Sequence, residues 1–361
     1  MAIYMWRKTY NTMTITRTEK SDMSSWWVYS DDAEWLTAWS TVFDEFFWYY
    51  GCRLSTAGVE SAKIEQTTPW TLDITQLWTL TSWDNVMIAF PVRWIKMSKS
   101  GDNVTLSITK ELGKEWYQYY AHTKGSTIKD NLYIWAYKMV SWYKSLSWAA
   151  PLVNQTRASF RSWIKSTYDS SAWTNRYSQI TRYPREYINA LYMMKYWNPY
   201  ATNVIWAWLT TGSVAVNTWW TDSQTSATYG TSSASQQMKL FWLEDYYGNV
   251  AEWLDWCYYN SSKQLTVDKT NNVFQDSAYS TNLWATNNWW MSKIIWTNDS
   301  MFNNNMSLGA YNTWYTSARY NWSNQVLFVG GLTWANRWIL YEDCMGADES
   351  YSYIWARLQY L

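Results

Sequence analysis

"KLFWLEDYYGNVAEWLDWCYYN", residues 239–260, decides how this chain is read. Four carboxylates, Glu244, Asp245, Glu252 and Asp255, stand among aromatic side chains, and Asn249 follows Gly248 in the middle. Paired carboxylates can carry acid–base chemistry. Polar side chains set among apolar ones can instead be internal braces, because a buried polar group needs a partner. The residues of the stretch leave both readings open.

Working outward, "NVMIAFPVRWIKM" (85–97) is rich in β-branched and aromatic residues, and "SGDN" (100–103) is a turn. "VTLSITK" then alternates, with Val104, Leu106 and Ile108 on one face, so the region reads as a hairpin. "NLYIWAYK" (131–138) is a further strand. Two helices follow. "VNQTRASFRSWIKS" offers Asn154 and Thr156 as caps, with Phe160, Trp163 and Ile164 on one face. "YPREYINALYMMKY" sets Pro184 at a helix start and Ile188, Leu191 and Tyr192 in a buried stripe. The chain closes on "SYIWARLQYL", in which Ile354, Ala356, Leu358 and Tyr360 alternate as in a strand. Together these give an α+β fold with two helices, short strands and long loops. Residues 1–80 read as a small β-rich N-terminal segment and 81–361 as the main domain.

Composition narrows the function. Lys+Arg and Asp+Glu are both 29, so the net charge is zero and nothing electrostatic points to a nucleic-acid partner. The first twenty residues lack the apolar core of a secretory signal, and Lys138 and Lys144 break the most apolar region. The chain therefore reads as not membrane-embedded. Cys52, Cys257 and Cys344 are far apart, which excludes a local CxxC site and favours small buried thiols, with one bridge between distant cysteines left open. The single histidine, His122, sits in loop-like "YYAHTKG" and reads as a hydrogen-bonded surface residue rather than a base. "WTNDSMFNNN" (296–305) offers Asn298, Asp299 and Asn303 as oxygen ligands, but with one carboxylate it reads as a solvated loop. No nucleotide-binding glycine pattern occurs, and no cofactor is expected.

The opening stretch resembles the "GNVWEW" signature of the formylglycine-generating-enzyme-like branch of the C-type lectin fold, with Ala251 in place of the first Trp. "VLFVGGLTW" (326–334) is similar to that family's "RGGSW" element, and "IWARLQYL" (354–361) to its closing "GFRL" strand. "LYIWAYK", "APLVNQTRASFRS" and "LYMMKYWNPYAT" look like the phage tail-fibre and retroelement-diversified variable proteins of this fold. The resemblance covers about 85–361. It implies that Gly248, Asn249, Glu252 and Trp253 brace the fold. It also implies a ligand-binding, non-enzymatic protein on a virion or cell surface. Its partner would be a host-surface or other protein or glycan ligand, and an oligomer is left open. In the variable proteins the diversified window lies between the "GGxxW"-like element and the last strand. Here that window gives Thr333, Asn336, Arg337, Tyr341, Asp343, Met345, Asp348, Ser350, Tyr351 and Tyr353 as ligand-binding candidates. Leu340 is expected to face inward, with Tyr341 and Asp343 outward. Tyr and Ser suit such a face, since Tyr gives area at low entropy cost and Ser adapts.

Two alternatives stand beside this reading. A divergent formylglycine-generating-type oxidoreductase would need a cysteine partner near Cys344 or a histidine cluster, and the sequence has neither. A purely structural virion protein is the other.

One oddity remains. The chain has Trp 33 against Gly 12, where about 7% Gly, roughly 25 residues, is ordinary. The family has Gly where this chain has Trp135, Trp197, Trp206, Trp242, Trp256 and Trp355. The resemblance thus implies UGA codons read as glycine in the source lineage, with Trp253 genuine; a truly tryptophan-rich chain is the alternative.

Overall fold

The structure, a computed structural model, describes residues 10–19, 25–64, 85–100, 103–168, 177–196, 201–205, 215–231, 236–262, 265–270, 275–282, 290–291, 295–297, 300–303, 317–318, 325–329, 342–352 and 354–361. It is a mixed α+β fold, mostly strands arranged in several sheets.

The first sheet is an antiparallel set in the order Ser25–Asp31, Thr12–Glu19, Asn103–Thr109, Trp94–Ser100. Its period-2 pattern separates two chemistries. Met13, Ile15, Leu106 and Ile108 are buried, whereas on the opposite face hydroxyls pair across the strands: Thr12 with Thr109 at 2.9 Å, Thr14 with Ser107 at 2.8 Å and Thr16 with Thr105 at 3.0 Å. The second sheet runs Tyr177–Gln179, Leu358–Tyr360, Asn131–Trp135, Asn85–Pro91, Tyr50–Leu54, Glu60–Ile64. The third is built on Ala251–Tyr259. This strand pairs antiparallel with Leu265–Val267 and Gln325–Val329, and parallel with Ile354–Trp355; Glu342–Gly346 lies beyond Gln325–Val329.

The helices α1 (Val42–Phe47), α2 (Arg157–Tyr168), α3 (Arg182–Tyr196) and the single turn α4 (Ala201–Val204) complete the fold. Thr156 caps α2: its Oγ1 accepts the backbone N–H of Ser159 at 3.0 Å. Phe160 and Ile164 of α2 are buried, and Trp163 is half-buried against that core. The expected single stripe of α3 is corrected, because the whole helix is enclosed. Its polar side chains are paired instead of solvated: Arg182 with Glu186 at 2.7 Å, Lys195 with Asp44 of α1 at 2.6 Å, and Arg185 with Glu252 at 3.2 Å.

Two further expectations change. Residues 85–97 are two strands in different sheets, broken after Pro91, which has no N–H to continue a ladder; the hairpin partner of Asn103–Thr109 is Trp94–Ser100. The closing segment is two short strands in different sheets, Ile354–Trp355 and Leu358–Tyr360. Trp355, Arg357 and Gln359 are as buried as Ile354, Ala356 and Leu358, so no side of it faces solvent in alternation. Strands from either side of residue 80 share sheets: Thr12–Glu19 pairs with Asn103–Thr109, and Tyr50–Leu54 with Asn85–Pro91.

Candidate functional site: a buried charge hub and a C-terminal loop

All four carboxylates of the 239–260 stretch are buried. Glu252 is the centre of a hub. Its Oε1 accepts from Arg357 Nε at 2.9 Å, its Oε2 from Arg185 Nη1 at 3.2 Å, and Lys138 Nζ lies 3.8 Å away. The cations also satisfy backbone. Arg357 donates to the carbonyls of Trp135 (2.7 Å) and Ala136 (3.1 Å), and Lys138 to those of Gly248 (3.0 Å) and Val250 (2.8 Å). Arg185 donates to Tyr246 O at 2.8 Å and lies over the Tyr246 ring at 3.4 Å. Burial pushes the Glu252 carboxyl up, but Arg357, Lys138 and Arg185 outweigh it and hold it below the usual carboxylate range. Burial brings Lys138 down to about 7 against the pull of Glu252.

Asn249 locks the neighbouring loop. Its Oδ1 accepts Val216 N–H, and its Nδ2 donates to Val216 O, both at 3.0 Å, and to Asp245 Oδ2 at 2.8 Å. Glu244 accepts from the backbone N–H groups of Trp219 (2.8 Å) and Thr221 (3.0 Å); burial, with Asp245 beside it, raises its carboxyl to about 8. Asp255 takes the Arg161 fork. Trp253, fully enclosed, donates its indole N–H to Gln155 O at 3.2 Å. Gly248 has φ +79°, a conformation that favours glycine.

The ligand-binding candidates divide. Asp348 and Ser350 are exposed in the loop after Glu342–Gly346. Tyr351 is half-buried, packed on the core, and donates its hydroxyl to Glu349 at 2.9 Å. Met345 is corrected: it is buried in the sheet and offers no contact surface. Asp343 lies on Glu342–Gly346 opposite Phe328, while Thr333, Asn336, Arg337, Tyr341 and Tyr353, with Leu340, fall outside the described residues. The loop is pinned at both ends. Glu349 N–H donates to Gly346 O at 3.2 Å, and Tyr351 O accepts from Asn154 at 3.0 Å and Ile354 at 3.2 Å. Three residues after Ile354 comes Arg357, the hub's main cation.

His122 is also corrected: it is fully buried, with Nε2–H donating to Phe90 O at 3.0 Å. Cys52 and Cys257 are buried thiols. Asn298 and Asp299 lie outside the described residues, and among the described residues no group of three His, Cys, Asp or Glu could hold a metal ion. No helix of the described residues is long and apolar enough to cross a membrane.

Sequence reasoning missed Arg357, Arg185 and Lys138. The one available signal for Arg357 was an arginine flanked by apolar residues in "IWARLQYL", since a charge in such a run is buried only when paired.

No family model matches the chain, and no curated protein is significantly similar to it.

Proposed function

We propose that this chain is a non-enzymatic binding protein with a C-type-lectin-like, formylglycine-generating-enzyme-like domain, acting as a phage receptor-binding or retroelement-diversified variable protein. The observation that carries the reading is the contrast between two neighbouring parts. The carboxylates of 239–260 are enclosed and paired, whereas the loop carrying Asp348 and Ser350 is exposed and fixed at both ends. A loop ordered before binding loses less entropy on binding, so its side chains can carry specificity. The ligand is a protein or glycan on a host or partner surface.

The test is adsorption to candidate host cells by the wild type and by the combined variant Asp348→Ala, Ser350→Ala, Tyr351→Phe. The phenylalanine keeps the packing of Tyr351 and removes only its hydroxyl. Adsorption should fall at least tenfold while the circular dichroism spectrum is unchanged. Full adsorption by the folded variant would remove this loop from the binding face. The oxidoreductase alternative is read separately: a cysteine-containing peptide incubated with the chain and copper should not be turned over.

A further inference from the structure

Among the described residues, nine of the fifteen non-glycine residues with positive φ are tryptophans: Trp35, Trp39, Trp48, Trp116, Trp142, Trp148, Trp219, Trp242 and Trp256. Positive φ brings Cβ against the following carbonyl, so bulky residues rarely adopt it, while glycine does so freely and Asn and Asp with modest cost. Four of the other six fit that rule. Asp31, Asn154, Asp245 and Asn249 are the tolerant types, and Tyr143 and Phe241 are the chain neighbours of Trp142 and Trp242. Tryptophan has no chemistry that favours this conformation.

Three of the nine sit where backbone geometry itself calls for glycine. Trp48 follows the last residue of α1 in the left-handed conformation (φ 56°, ψ 43°) and returns its N–H to Asp44 O, the position at which glycine ends helices. Phe241 and Trp242 form a two-residue turn between Leu240 and Leu243, with φ of 48° and 67°; this turn takes glycine at its second place. Trp256 (φ 54°) lies in the register shift of Ala251–Tyr259 between Leu254 and Tyr259, where the strand leaves regular pairing and a left-handed residue is ordinarily glycine.

Exposure gives a second, independent mark. Trp35, Trp39, Trp48, Trp116, Trp142 and Trp148 are each more than half exposed, and Trp35 is 89% exposed. Trp148 stacks on Trp219 with centroids 4.1 Å apart and planes 14° apart. Such a pair would ordinarily suggest a platform for a sugar or a nucleobase. Both members, however, carry positive φ.

We infer that the native residue at these nine positions is glycine, the codons being UGA read as glycine in the source, and that the exposed aromatic surface is not a ligand platform. Trp253 is the contrast. It has no positive φ, fills an enclosed site and donates its indole N–H to Gln155 O. It is a genuine tryptophan.

Two measurements test this. Peptide mass spectrometry of the protein from its source, set beside the gene, should give glycine at UGA codons for the nine positions and tryptophan at a UGG codon for Trp253. Tryptophan masses at Trp48, Trp242 and Trp256 would overturn the inference. The second compares recombinant chains. The form with all nine Trp→Gly substitutions should melt cooperatively and at a higher temperature than the all-tryptophan form, while Trp253→Gly in either background should melt lower. A nine-glycine chain that melts lower than the all-tryptophan chain would equally overturn it.

Discussion

Glu252 and Arg357 are 105 residues apart in the chain and 2.9 Å apart in space, Oε1 to Nε, with neither side chain exposed. Arg357 also holds the carbonyls of Trp135 and Ala136, so one guanidinium joins the second sheet, at Asn131–Trp135, to the third, at Ala251–Tyr259. A buried charge cluster of this kind is weak evidence for net stability, because desolvation offsets attraction. Removing one member is another matter, since it strands the rest.

Glu252→Ala should therefore destabilise the fold by about 3–5 kcal/mol, because Arg357, Arg185 and Lys138 would be left without their shared anion. Urea denaturation followed by circular dichroism measures this. A variant with wild-type stability but no binding would show that Glu252 serves the ligand rather than the fold.

Asn249 separates hydrogen bonding from backbone conformation. Its side chain spans Val216 and Asp245, and its φ is 59°. Asn249→Ala loses the hydrogen bonds, at about 1–3 kcal/mol, and also places an ordinary Cβ at positive φ. Asn249→Gly loses only the bonds. The glycine variant should be the more stable of the two in denaturant, although below wild type. The reverse order would mean that the loop relaxes out of this conformation.

Arg157 repairs the irregularity in the central strand. Between Leu254 and Tyr259 the pairing with Gln325–Val329 shifts register, and Arg157 Nη1 donates to the carbonyls of Leu254 (3.1 Å) and Cys257 (3.0 Å). Its other nitrogens reach Asp276. Lysine keeps the charge but lacks the planar fork. Arg157→Lys should cost about 1–3 kcal/mol and speed hydrogen exchange around residues 254–258. Unchanged exchange there would argue that water satisfies those carbonyls.

How far the sequence led is set by the range of the interactions. Helices α2 and α3 were legible because their signals are local: Thr156 at a cap, Pro184 in a first turn, apolar residues at helical spacing. The alternation of Leu106 and Ile108 was equally local. The resemblance, rather than periodicity, marked Asn249 and Glu252. The partners of Glu252 were not legible, since Arg185, Lys138 and Arg357 come from three distant segments. The enclosure of α3 was missed for the same reason: its charged residues look solvent-facing until Asp44 and Glu252 are brought to them. Met345 looked available as part of a polar window, yet strand pairing with Val326 places it inside.

His122 supplies the last prediction, and being the only histidine it gives an unambiguous signal. A loop-like "YYAHTKG" suggested exposure, but a short 3₁₀ turn, Tyr120–His122, carries the ring inward against Tyr187, with centroids 4.8 Å apart. Burial pushes its pKa down from 6.5 to about 4; the hydrogen bond to Phe90 O opposes this, and the positive Arg93 nearby adds to the depression. The folded protein therefore keeps the ring neutral where the unfolded chain would already be protonated. Between pH 6.5 and about 4 the unfolded state binds more protons, so stability falls as the solution is acidified through that window and levels off below it. The loss attributable to this ring is on the order of 3 kcal/mol. Two-dimensional NMR of the imidazole should show the neutral Nε2–H form at pH 5.5, and the acid limb of the stability curve should become shallower in His122→Phe than in wild type. An imidazole that titrates near 6.5 in the folded protein would mean that the ring is solvated and that Phe90 is not its partner.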